Sequence, residues 1–389
     1  MNFNPKISVD FRRVLLATLF FGATAGIFAS TLNNYLSEVQ GFGAEERGWL
    51  ELPRELPGFF IIFVVGFLLT YMRESRMAAT AMVFTAAGAL GLGYLSPSTA
   101  LLVFWIVIWS LGDHIIFAVE GPLGLKLAKK GGEGRRLGQI GGARNLGVIL
   151  GVSSVWLLAK MLGDRYDLFY LVGGVCAAVA GFFYFRLSLG KEDPPSRRLI
   201  YRKEYHLFYA ISALFGIRKQ IFLVFGSWVL VSLHGVPVAT IALLYFIASL
   251  LGVVMRPLLG DVIDWLGERR VLATDEVMLL VVCLVYAFVD NIHILYGAYI
   301  LDHILFALRV ARTTYLKKIA VEPSDITPTI SLGITIDHAV AMTLPILSGY
   351  LWENFGHEYV FLLAGLIAVI GFFVCLRIKV PDREPLEVS

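Results

Sequence analysis

The sequence predicts an all-α polytopic membrane protein, with twelve transmembrane helices in two pseudo-symmetric six-helix bundles. Three observations carry that prediction. Of 389 residues, 57% are hydrophobic and only 16% charged, with a mean hydropathy of +0.74, whereas a soluble domain carries about a quarter charged residues. Apolar runs long enough to cross a bilayer core of about 30 Å recur along the chain. Polar signatures of the first half return in the second at a nearly constant offset. The composition excludes a soluble multidomain protein, a disordered chain and a disulfide scaffold. Cys176, Cys283 and Cys375 lie singly in apolar runs, without paired spacing for zinc or disulfides. A net charge of +3 is too small to point to nucleic acid.

Helices are expected near 14–36, 47–71, 77–95, 100–126, 136–161, 168–188, 219–234, 237–265, 271–289, 294–316, 329–352 and 359–378. The runs are continuous rather than alternating, which excludes a barrel. Met1 to Arg13 contains no small-residue cleavage site, so the first run reads as a retained helix. Lys and Arg set the orientation. With both termini cytoplasmic, 25 of the 33 basic residues fall in inner loops and tails. Only Arg47, Lys160 and Arg165 fall outside. That asymmetry requires an even number of spans, and the expected location is the plasma (cell inner) membrane.

Three domains follow: an N-terminal bundle (1–189), a cytoplasmic linker (190–218) and a C-terminal bundle (219–389). The linker holds Pro194-Pro195, a basic run (Arg197, Arg198, Arg202, Lys203) and the apolar stretch Leu207 to Phe215. Nine residues cannot span a bilayer. The stretch is either an interfacial helix joining the halves or an extension of helix seven.

The halves repeat. Asp113-His114-Ile115-Ile116-Phe117-Ala118 returns 189 residues later as Asp302-His303-Ile304-Leu305-Phe306-Ala307. Gly163 and Tyr166 return as Gly356 and Tyr359, and Gly181-Phe182-Phe183 as Gly371-Phe372-Phe373. Both halves run in the same direction, which relates them by an axis along the membrane normal.

Between helices eight and nine, Gly260, Asp264, Gly267 and Arg269 fall on a spaced Gly-x-x-x-Asp-(basic)-x-Gly-(basic)-(basic) pattern. On these residues the chain resembles the major facilitator superfamily over essentially its whole length. Trp265 and Glu268 depart from the pattern's basic positions, and the first-half loop has Thr70 and Arg73 where the Asp and second Gly belong. Gly147 and Gly151 are present in helix five, without the Gly-Pro of the family's drug antiporters. The resemblance implies secondary transport by alternating access, and a conformational latch at Asp264 and its neighbours.

Charge at membrane depth is costly and faces cavities or partners. Asp113, Phe117 and Glu120 share one face of helix four, and Asp302, Phe306 and Arg309 repeat that geometry in helix ten. An offset of 193 aligns Arg144 with Asp337. The expected ion pairs are therefore Glu120–Arg144 and Arg309–Asp337, each about 12 Å from the inner helix end. They either neutralise buried charge or break and reform during transport. Three in-helix dipeptides, Asp113-His114, Asp302-His303 and Asp337-His338, admit proton coupling, a divalent metal, or plain hydrogen bonds to neighbouring helices. Helix two opens with Glu51, Arg54 and Glu55 among Pro53 and Pro57, either an outer gate or a solvated, kinked end. Asn33 and Asn34, with Thr24, Ser30 and Thr31, form a polar stripe in helix one. Arg256 pairs with Asp261 or the following loop.

No nucleophile elbow, zinc-protease motif, phosphate loop or dinucleotide fingerprint occurs. The chain is therefore not expected to be an enzyme, and no cofactor, resident metal or catalytic residue is assigned. It is expected to be a monomeric secondary transporter of a small molecule or ion in a lipid bilayer, coupled to protons by symport or antiport. Alternatives are a divalent-metal carrier, a uniporter, or a non-transporting receptor or scaffold.

Overall fold

The computed structural model describes residues 5–128, 132–189 and 201–380, and every regular element among them is helical. Pro194-Pro195, Arg197 and Arg198 lie outside the described residues, as does the side chain of Arg256. Eleven helices are long and apolar enough to cross a membrane, and a bent pair supplies a twelfth. Helix one runs over Pro5–Asn34 and continues through a π-turn, Tyr35–Val39. Helix two is broken into Ala44–Trp49, Glu51–Phe59 and Ile61–Tyr71. Helices three to six are Glu74–Tyr94, Thr99–Lys126, Glu133–Leu162 and Tyr166–Phe185. Helix seven comprises His206–Ile221, a π-turn at Phe222–Gly226, and Ser227–Ser232. Helices eight and nine are Val238–Leu266 and Glu268–Phe288. Helix ten joins Ile292–Leu305 to Val310–Ile319 through a tighter 3₁₀ stretch, Phe306–Arg309. Helices eleven and twelve are Ile326–Phe355 and His357–Cys375.

The breaks have local causes. Pro53 has no N–H for the carbonyl of Trp49, and Pro57 leaves that of Pro53 open. Helix two bends by 43° between Ala44–Phe59 and Phe63–Tyr71. Ser98 and Asn291 cap helices four and ten by accepting from backbone N–H groups of Leu101 and His293. The repeated Gly163 and Gly356 end helices five and eleven at φ 77° and 113°, where a side chain would be strained.

Leu207–Phe215 is the opening of helix seven, so the linker is shorter than the sequence suggested. Arg218 and Lys219, at the expected junction of linker and helix seven, lie midway along a continuous 27-residue helix. Nine apolar residues could not span alone. Joined to the next run across two cations, they do.

Two compact units are present. One holds Met1–Gln40, Pro53–Pro195 and Pro237–Phe246; the other holds Gly41–Leu52, Ser196–Val236 and Ile247–Ser389. The first is built on Val14, Phe21, Met77, Met82, Ile116 and Tyr184. Helices one and five pack there through glycines. A Cβ on Gly26 would stand 2.6 Å from the carbonyl oxygen of Val148, and Gly22, Gly147 and Gly151 abut Arg144, Leu19 and Ala23 backbone as closely. Small residues on both sides let the backbones touch, the usual device between membrane helices. The second unit's core includes Tyr205, Phe208, Leu272, Leu308 and Leu316. Within it Ala44–Trp49 lies against helix eleven, Gly48 under the Pro345 carbonyl and Gly349 against Ala44.

Candidate functional site

In the first unit, Glu120 pairs with Arg144, as the sequence predicts. Thr18 of helix one donates to Glu120 at 3.0 Å, and the Tyr184 hydroxyl stands 3.4 Å from Thr18. The guanidinium also lies over the rings of Phe21 and Phe117. Four helices thus meet on one ion pair. A double-mutant cycle of Glu120→Gln and Arg144→Gln, read by thermal unfolding, is expected to return a coupling of about 1–3 kcal/mol. Additivity within about 0.5 kcal/mol would show that the pair is not coupled.

Farther along helix four, buried Asp113 accepts from Thr85 at 3.3 Å. Gly112 leaves room for this, since a Cβ there would collide with Thr85. His114 Nδ1 lies 2.8 Å from the Ser110 carbonyl one turn back. A carbonyl only accepts, so Nδ1 carries a proton and donates it, while Nε2 faces Glu55 at 3.8 Å. Arg54 holds the other oxygen of Glu55 at 2.6 Å, and Ser110 donates to the Arg54 carbonyl at 2.5 Å. Arg54 and Glu55 therefore close onto helix four instead of facing solvent. Asn33 and Asn34 are buried; Asn34 donates to Glu38 at 2.7 Å, as does the Tyr166 hydroxyl at 2.6 Å. Ser30 and Thr31 bond back to helix carbonyls, and Thr24 also donates to Gly173, so the expected stripe is largely absorbed by backbone.

In the second unit, Arg218 donates to Asp275 at 2.5 Å and to Asp302 at 3.4 Å. All three side chains are buried. One guanidinium of helix seven therefore joins helices nine and ten, tightly on one side and loosely on the other. Two carboxylates from different helices thus share one guanidinium. His303 repeats the His114 geometry, with Nδ1 2.9 Å from the Tyr299 carbonyl. Both imidazoles bond a carbonyl of their own helix through Nδ1.

Asp337 pairs with Lys219 at 2.8 Å. The sequence alignment had named Arg309 as its partner, whereas the guanidinium of Arg309 lies over the Phe306 ring, 5.2 Å from its centroid. The difference follows from Lys219 standing inside the membrane span. The alignment of Arg144 with Asp337 holds in space: Gly22 packs against Arg144, and Gly216 packs against Asp337 at the matching offset. His338 is half-buried. Arg312 stacks on Phe215 at 3.7 Å. Glu51 is fully buried between Arg47 at 2.6 Å and Gln220 at 2.5 Å, so Arg47 is a helix residue rather than an outer-loop cation. In the loop pattern, Gly267 takes φ 79° to end helix eight; Asp264 and Arg269 are exposed and Gly260 has open space beside it.

Sequence reasoning missed Arg218, Lys219, Asp275, Arg47 and Gln220. The usable signal was the pair of short apolar runs flanking Arg218-Lys219.

A family model described as Major Facilitator Superfamily matches residues 14–321. No curated protein matches the sequence significantly. Among solved structures, a point mutant of the nucleoside transporter NupG superposes with a TM-score of 0.80 at 14% identity, covering 95% of this chain and 99% of that one. A bacterial homologue of the human lysosomal transporter Spinster, inward-facing and occupied, gives 0.76 at 12% identity, covering 97% and 98%. A D-xylose-proton symporter gives 0.71 at 14%, covering 97% and 98%. At such identities the likeness is one of fold.

Proposed function

Because this chain belongs to the major facilitator superfamily, a superfamily of membrane transporters, we propose that it is a proton-coupled secondary active transporter of a small polar solute. The observation that supports coupling is the buried Arg218 held by Asp275 and Asp302 on different helices. In this reading Asp302, the looser partner, takes the proton. Protonation leaves Arg218 to Asp275 alone, and helix ten is then free to shift at its 3₁₀ stretch. Deprotonation restores the bridge. Glu120–Arg144 and Lys219–Asp337 hold helices within each unit, and Glu51, Arg54 and Glu55 gate the outer side. Helices one to six and helices seven to twelve rock as two bundles about the intervening linker, with Gly260, Asp264, Gly267 and Arg269 as an inner latch. Lys and Arg asymmetry supports cytoplasmic termini.

The test is transport in proteoliposomes under an imposed pH gradient, with a lumenal pH dye reporting proton movement. Nucleosides and pentoses lead the solute panel, since structurally similar transporters are described for those substrates. At least one solute is expected to move protons with it. Asp302→Asn should keep solute exchange at equilibrium while losing accumulation driven by the gradient. Flux indifferent to the gradient, or accumulation by Asp302→Asn equal to wild type, would overturn the coupling.

A further inference from the structure

At one end of the second unit, helices eight, nine and twelve border a cavity of about 630 Å³. Its lining changes character along helix nine. Arg269 and Arg270 stand in the first turn, near Leu266 and Leu376 at the ends of helices eight and twelve. Thr274 lies a turn further along, and Val277, the next turn, lines the groove with Phe372 of helix twelve. Both arginines are exposed, and neither has an ion-pair partner among the described residues. The adjacent carboxylate, Glu268, is taken by Lys318 at 2.7 Å and does not neutralise them. Trp265, 81% exposed at the neighbouring helix end, suits the interfacial level of a bilayer.

We propose that this groove seats an anionic glycerophospholipid. Its phosphate lies on Arg269 and Arg270, its glycerol ester region beside Thr274, and one acyl chain along Val277 and Phe372. The order of charge, hydroxyl and hydrocarbon along the groove matches a lipid in a leaflet, and a free phosphate would leave the apolar wall unused. Basic pockets between helix ends are recognised headgroup sites. The lipid would bridge helices nine and twelve at the loop that carries the latch pattern.

The experiment measures lipid retention by native mass spectrometry, and thermal unfolding, of the full chain in detergent with phosphatidylglycerol, phosphatidylcholine or inorganic phosphate. Phosphatidylglycerol is expected to be retained and to raise the unfolding temperature, phosphatidylcholine far less, and phosphate not at all. Arg270→Ala, at an exposed position, should lower phosphatidylglycerol affinity about fivefold, with a similar further loss on adding Arg269→Ala. Val277→Trp fills the groove without touching charge and should also lose the lipid. Equal retention of both lipids, stabilisation by phosphate matching that of phosphatidylglycerol, or a preference surviving in the double arginine variant would each overturn the proposal. So would undiminished retention in Val277→Trp.

Discussion

Arg218→Met should be among the most damaging substitutions in the second unit, lowering stability by about 3–5 kcal/mol. The guanidinium is 3% exposed and joins Asp275 and Asp302. Removing it strands two carboxylates midway through the membrane, where unpaired charge is expensive. Arg312 does not replace it easily, because it stacks on Phe215. Arg218→Met combined with Asp275→Leu and Asp302→Asn removes the charge from both sides. Buried ion clusters replaced as a whole often cost little or nothing, so the triple variant should recover most of the unfolding temperature. It should not recover gradient-driven accumulation, since Asp302, the proposed proton acceptor, can no longer ionise. Thermal unfolding in detergent and proteoliposome flux separate these effects. An Arg218→Met protein that unfolds at the wild-type temperature would show that the triad is not a structural bridge.

The fold was legible because membrane spans are long, apolar and repeated. Even Pro53 and Pro57 announced the broken second helix. The site was legible where both partners sat inside recognised runs, as for Glu120 and Arg144. It failed where a charge interrupted a span. Arg218 and Lys219 divide helix seven into two pieces, each too short to cross alone, so hydropathy began the helix only at Lys219. Their burial is stabilised by Asp275, Asp302 and Asp337 from three other helices, contacts that no local window contains. Arg47 was misplaced for a related reason: its partner Glu51 is local, but Glu51 is also held by Gln220, most of one half of the chain away.

Gly147→Leu should be comparably destructive in the first unit, by a different mechanism. A side chain there would enter the space of the Leu19 backbone carbonyl, and the nearby Ala23 nitrogen is also backbone. Neither atom can move aside as a flexible side chain would, so helices one and five must separate. Overpacking of this kind costs about 3 kcal/mol at the upper end of its usual range. The consequence for transport is specific, because Arg144 is one turn away on helix five and its partner Glu120 is also held by Thr18 of helix one. Separation of the seam therefore strains the charge pair that joins helices four and five. Gly138 and Gly141 lie on the same helix with open space beside their Cα atoms. Gly141→Ala should leave flux intact and gain about 0.5–1 kcal/mol from helix propensity. Unfolding temperature and flux measured on both variants distinguish a glycine required for close approach from one that is merely tolerated. Wild-type stability and flux in Gly147→Leu would mean that the seam opens without cost and that the Glu120–Arg144 pair does not depend on it.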